Sequence, residues 1–151
     1  MVEEGTAAPD FELPSDSGDP VRLSSLRGQT VVLYFYPKDD TPGCTTQACA
    51  IRDSWSAFEG RAAVLGVSPD DEDSHAKFRS KYRLPFPLVA DPDHRVAEAY
   101  GVWVEKRRDG DVYMGIERST FVIDPDGVVA KVMRNVDPGT HAEQVLTAVS
   151  P

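Results

Sequence analysis

Apolar residues along this chain fall into short blocks whose period changes. Residues 31–36, Val-Val-Leu-Tyr-Phe-Tyr, form an unbroken β-branched and aromatic run, which predicts a strand buried on both faces. Pro37 ends it. Thr41-Pro42 reads as a helix cap followed by proline at the first helical position. Ala48, Ile51, Trp55 and Phe58 then recur at helical spacing, which predicts one helix over 42–58, ended by Gly60. Further strands are predicted at 63–67 and 86–90, and helices at 71–82 and 91–100. The helix at 71–82 has acidic residues in its first turn and basic ones in its last, which suits the macrodipole. Gly101 closes the next helix, and residues 102–114 read as an irregular or hairpin segment around Asp109-Gly110. Strands at 120–124 and 128–134 flank the turn signal Asp124-Pro125-Asp126-Gly127 and are expected to pair antiparallel. Residues 140–149 close the chain as a helix capped by Thr140. Residues 1–20 are irregular, with Phe11 and Leu13 alternating as in a short strand.

Strands alternating with helices, then a hairpin, predict a layered α/β domain with a mixed central sheet flanked by helices. The intervening helix makes the strands at 31–36 and 63–67 parallel. At 151 residues, a single domain over 1–151 is expected, with a core that needs neither disulfide nor structural metal.

Charge and hydropathy exclude whole classes of function. The chain carries 16 Lys and Arg against 25 Asp and Glu, a net −9, so it has no general attraction to nucleic acid or anionic lipid. Its one basic run, Lys106-Arg107-Arg108, is read as a solvated loop. No apolar stretch approaches the roughly 20 residues of a membrane helix. Met1-Val2-Glu3-Glu4-Gly5 lacks the basic segment and apolar core of a secretory signal, so a cytoplasmic location is expected. Two cysteines in a reducing compartment are inert thiols, metal ligands or redox groups. His75, His94 and His141 are scattered and there is no second cysteine pair, which disfavours zinc. The histidines are therefore expected at the surface or at caps. Trp55 and Trp103 are read as packing residues; a place for Trp103 at an entrance or subunit contact stays open.

The chemistry concentrates where the first long strand ends. A strand delivers the chain to the carboxyl edge of its sheet, where α/β proteins hold their ligands. Thr41 as cap puts Cys44 in the first helical turn, where free N–H groups and the dipole favour an anion. A cysteine so placed is favoured as the thiolate. The same placement also suits a buried structural thiol, and the residues alone leave both readings standing. Ionisation by itself achieves little. Lowering a thiol pKa from about 8.5 to about 6 raises the ionised fraction about 30-fold at pH 7, but nucleophilicity falls about 13-fold. A fast cysteine enzyme must therefore orient its substrate and stabilise the leaving group with positioned donors. The Thr41 hydroxyl, the free N–H groups and a guanidinium from elsewhere would serve.

Pro37, Thr41 and Cys44 fit the Pro-x-x-x-Thr-x-x-Cys pattern of peroxiredoxins, and the string 34–53 resembles the bacterioferritin comigratory protein, or peroxiredoxin Q, branch. Ala8-Pro9-Asp10-Phe11, Tyr100-Gly101-Val102-Trp103, Gly115-Ile116-Glu117-Arg118 and residues 120–124 resemble later family segments, so the likeness spans nearly the whole chain. It implies a thioredoxin-like fold and reduction of hydrogen peroxide and organic hydroperoxides without metal, haem or flavin. It makes Cys44 the peroxidatic cysteine, Thr41 the hydroxyl that contacts peroxide and Pro37 the shield of the thiolate. Arg118 becomes the arginine that supports the thiolate and polarises the peroxide. Gln47 stands where many relatives carry Glu and is left outside the catalytic set.

Cys49 alone reads as a core thiol on the same helix. The resemblance makes it the resolving cysteine, which condenses with the Cys44 sulfenate; thioredoxin or a similar dithiol then reduces the disulfide. Helix geometry adds a consequence. Five residues along a helix separate Cα atoms by about 8.7 Å, beyond the roughly 7 Å a disulfide tolerates. The segment 42–50 is therefore expected to unwind in each cycle. The resemblance leaves monomer or weak homodimer open. A thioredoxin-type disulfide oxidoreductase is the main rival, weakened because such pairs are usually Cys-x-x-Cys. A non-enzymatic protective protein is the other.

Overall fold

The run at 31–36 lies at the centre of the molecule. The computed structural model describes residues 2–149. A short antiparallel pair, β1 (Glu12–Pro14) and β2 (Pro20–Arg22), precedes a 3-10 turn at Leu23–Leu26. Then come β3 (Thr30–Phe35), α1 (Pro42–Asp53), α2 (Trp55–Phe58), β4 (Ala62–Ser68), α3 (Glu72–Tyr82), β5 (Leu88–Ala90) and α4 (Arg95–Ala99). A hairpin of β6 (Trp103–Arg108) and β7 (Asp111–Ile116) follows, then β8 (Ser119–Ile123), β9 (Val129–Met133) and α5 (His141–Val149). The main sheet has the order β5-β4-β3-β8-β9. β3 is parallel to β4 and antiparallel to β8, so the sheet is mixed as the pattern of elements requires.

Alternation along β3 divides the core. Val31, Leu33 and Phe35 enter one apolar cluster, with Phe121, Tyr100, Val96 and Ile116. Val32, Tyr34 and Tyr36 enter the other, with Cys44, Ala48 and Ile51 of α1, Phe78 of α3 and Val145 of α5. The second face is thus covered by helices. The first is covered by α4, the start of the chain and the root of the β6–β7 hairpin.

Three local readings change. The helix expected over 42–58 breaks at Ser54, whose ψ of 13° leaves the helical range. The break lets α2 turn so that Trp55 stacks on Phe58, and Phe58 is fully buried. The helix expected over 91–100 shrinks to five residues because the Asp91 carboxylate holds the N–H groups of Val96 and Ala97. The segment around Lys106-Arg107-Arg108 is a strand rather than a loop. Its turn has Asp109 and Gly110 both at positive φ, 51° and 84°, the pairing that lets two strands meet through two residues.

Candidate active site

β3 ends at the sheet edge and hands the chain to a short loop and then to α1. Thr41 is extended, with φ −99° and ψ 157°, and Pro42 opens the helix, so Cys44 sits in the first turn. It is buried at 2% exposure. The expected Thr41 side-chain cap is not made. Its hydroxyl instead donates to the Lys38 carbonyl at 2.8 Å, closing the loop on itself. The Thr41 carbonyl still accepts from Thr45 N–H at 2.8 Å, the first helical bond.

β8 runs antiparallel to β3 with Ser119 opposite Phe35. Arg118, the residue before β8, is thereby brought to the end of β3, 74 residues from Cys44 in sequence. Its Nη1 donates to Cys44 Sγ at 3.4 Å and to Gln47 Oε1 at 2.6 Å. The close approach depends on Gly43: a Cβ there would lie 3.1 Å from Arg118 Nη2. Pro37 and Arg118 line one cleft of about 420 Å³ with Val104, Lys106, Glu117 and Asn135. Arg118 thus touches Cys44, Pro37 lines the cleft with Arg118, and Thr41 stands at the N-cap position of the helix that carries Cys44.

Cys49 is apart from them. It lies half-buried further along α1, and both cysteines are free. Burial pushes its thiol above the ordinary range, and Asp53 adds to this against the pull of Arg52.

Gln47, left outside the catalytic set on the sequence, is bonded to Arg118. It is fully buried, and its amide oxygen can only accept, so the 2.6 Å bond to Arg118 sets the amide orientation. Its spacing of three from Cys44 on a helix was the available signal. His75 and His141 also differ from expectation, since both are fully buried. The chain needs them where polar loops meet the core. His141 bonds Thr120 Oγ1 at 2.6 Å, and burial, with the Arg118 charge beside it, lowers its pKa to about 4. His94 stays partly exposed at the start of α4, with its ring stacked 3.9 Å above Trp103.

His75 holds the loop before α1. Its Nδ1 lies 2.7 Å from Asp39 Oδ2, and Nε2 lies 3.0 Å from the Val89 carbonyl. That carbonyl only accepts, so Nε2 is the donor toward it. Asp39 also accepts from Tyr36 at 2.6 Å and Ser74 at 2.8 Å, while its N–H donates to Asp70. Asp39, Asp70 and His75 bring ligand-type atoms within 4.8 Å of one another. Each already has protein partners, and together they pin residues 37–41 to β4 and α3.

Residues 5–132 match the AhpC/TSA family. The chain belongs to that family, the peroxiredoxins. Peroxiredoxin Bcp of Bacillus subtilis is 51% identical over 146 residues, covering 96% of this chain and 93% of that one. Peroxiredoxin Bcp of Escherichia coli is 42% identical, covering 96% and 94%. Among solved structures, the Xanthomonas campestris bacterioferritin comigratory protein has a TM-score of 0.90 at 39% identity, over 99% and 96% of the two chains. A Xylella fastidiosa PrxQ mutant gives 0.92 at 37%, over 97% and 94%. As a peroxiredoxin the chain is a thiol-dependent peroxidase with a thioredoxin-like fold, as its sequence resemblance implied. No helix among the described residues is long and apolar enough to cross a membrane.

Proposed function

We propose that this peroxiredoxin reduces hydrogen peroxide and organic hydroperoxides through Cys44 and resolves the product through Cys49. The observation that carries this is the Arg118 bridge from Gln47 to the buried Cys44 sulfur at the start of α1. The Cys44 thiolate attacks one peroxide oxygen. The S–O bond forms, the O–O bond breaks, and the leaving oxygen departs as water or alcohol. Arg118 stabilises both the thiolate and the charge developing on the oxygens. The Thr41 hydroxyl donates to the Lys38 carbonyl, so its oxygen is left to accept from the peroxide O–H. Pro37, which lines the cleft beside Arg118, shields the thiolate from water in this reading.

Cys49 then condenses with the sulfenic acid and releases water. The two sulfurs meet only when the start of α1 unwinds, because the ideal helix holds their Cα atoms about 8.7 Å apart. Unwinding also dismantles the Arg118 contact, so the oxidised form is open to a dithiol of the thioredoxin type. We place the whole cycle within one domain and in the cytoplasm. The support is the family match over residues 5–132 and the likeness to bacterial Bcp relatives over nearly their whole length.

Stopped-flow tryptophan fluorescence of the reduced protein with hydrogen peroxide, with thiols counted before and after, tests this reading. Expected is a fast phase with loss of both thiols, absent in Cys44→Ser and limited to one turnover in Cys49→Ser. A rate no better than that of an ordinary free thiol overturns it. Insulin reduction without peroxide turnover would favour a disulfide oxidoreductase instead.

A further inference from the structure

The three consecutive basic residues of β6 are not alike. Arg107 and Arg108 are exposed, but Lys106 is half-buried and lines the cleft with Pro37 and Arg118. Strand register explains the difference. Val104 lies opposite Gly115 and Lys106 opposite Tyr113, so Val104 and Lys106 share the face turned to the cleft. Gly115 leaves room for the lysine stem: a Cβ there would lie 3.2 Å from Lys106 Cδ. The methylenes cross the glycine and carry the ammonium into the cleft.

The ammonium has no hydrogen-bond or ion-pair partner among the described residues. The other charges facing the cleft are already engaged. Glu117 accepts from Arg134 at 2.9 Å and from Ser119 at 3.2 Å. Arg118 Nη1 is held by Cys44 and Gln47. Burial and the Arg118 charge lower the Lys106 pKa, while Cys44 and Glu117 oppose that. An unpartnered, partly desolvated cation beside the site of reaction favours an incoming anion.

We propose that Lys106 determines substrate specificity by binding a carboxylate on the alkyl arm of an organic hydroperoxide while its peroxy group reacts at Cys44. This rests on the peroxidase reading above. The chemistry at sulfur is unchanged: the S–O bond forms, the O–O bond breaks, and the carboxylate-bearing alcohol leaves. Hydrogen peroxide has no arm and does not use the subsite. Val104 supplies an apolar wall for the carbon chain between the two ends.

The test compares tert-butyl hydroperoxide with analogues in which one methyl is extended to an ω-carboxylate of increasing length, each beside its methyl ester. The second-order rate constant for Cys44 oxidation is measured by stopped flow. For at least one length the carboxylate is expected to react about tenfold faster than its ester, the effect of one charge-assisted hydrogen bond. Salt should erode that preference. Lys106→Met should abolish it and leave the hydrogen peroxide rate within about twofold, and Lys106→Arg should restore most of it. No preference at any length in the unaltered protein overturns the proposal. So does an equal loss for hydrogen peroxide in Lys106→Met, which would make Lys106 a general electrostatic support of the thiolate. Failure of the unaltered protein to react with hydrogen peroxide would instead sink the peroxidase reading itself.

Discussion

Arg118 lies closer to Gln47 than to Cys44, with Nη1 2.6 Å from the amide oxygen and 3.4 Å from the sulfur. The guanidinium is thus positioned by a neutral acceptor and presented to the thiol. Gln47→Leu removes the acceptor. A hydrogen bond to a charged group contributes about 1.5–3 kcal/mol, so the hydrogen peroxide rate constant should fall about tenfold or more. Gln47→Glu keeps an acceptor and should recover most of the loss. An unchanged stopped-flow rate in Gln47→Leu would mean that Arg118 is held without it.

Gly43 separates stability from activity. Alanine is favoured over glycine in a helix interior by about 1 kcal/mol, and Gly43 is half-buried in the first turn of α1. Here the new Cβ would stand 3.1 Å from Arg118 Nη2 and 3.4 Å from Pro138 Cγ, so the guanidinium must give way. Gly43→Ala should lower the peroxide rate about tenfold without lowering the urea midpoint. A loss of stability matching the loss of rate would contradict this.

The start of α1 should differ between redox states. In the reduced form the helix is continuous from Pro42 through Asp53, and the loop before it is anchored by Asp39 and His75. Hydrogen exchange should therefore show lost protection over 45–50 in the disulfide form. The Asp39 amide, bonded to Asp70, should keep its protection, which places the hinge near Thr41. Equal protection of 45–50 in both forms would be incompatible with a Cys44–Cys49 disulfide made by local unwinding.

His141 makes stability fall in mild acid. Burial holds its folded pKa at about 4 against the ordinary 6.5, so the unfolded chain takes up a proton where the folded one resists. Its contribution is complete above about pH 6.5 and is lost as the pH falls toward 4, on the order of 3 kcal/mol. Urea unfolding at a series of pH values should show that decline. His141→Gln, which can keep a bond to Thr120, should flatten it. A variant as acid-sensitive as the parent would assign the slope to other groups.

Much of this protein was determined by the sequence alone, because the signals are local. The β-branched run at 31–36, Thr41-Pro42 before a helical pattern, and Asp124-Pro125-Asp126-Gly127 between two strands act through neighbours within a turn or two. They place Cys44 at a helix start on a sheet edge before any fold is known. The resemblance then singled out Pro37, Thr41 and Arg118.

The tertiary structure decided what depends on distant pairing. Nothing near Gln47 in sequence announces Arg118, because their meeting follows from the antiparallel register of β3 and β8. Lys106 looks like Arg107 until the hairpin register turns one inward and the other out. His75 reads as one more helix-surface histidine until Asp39 and Val89 arrive from two other elements. A side chain's polarity is set by its own atoms, but its burial and its partners are set by chain segments folded against it from far away.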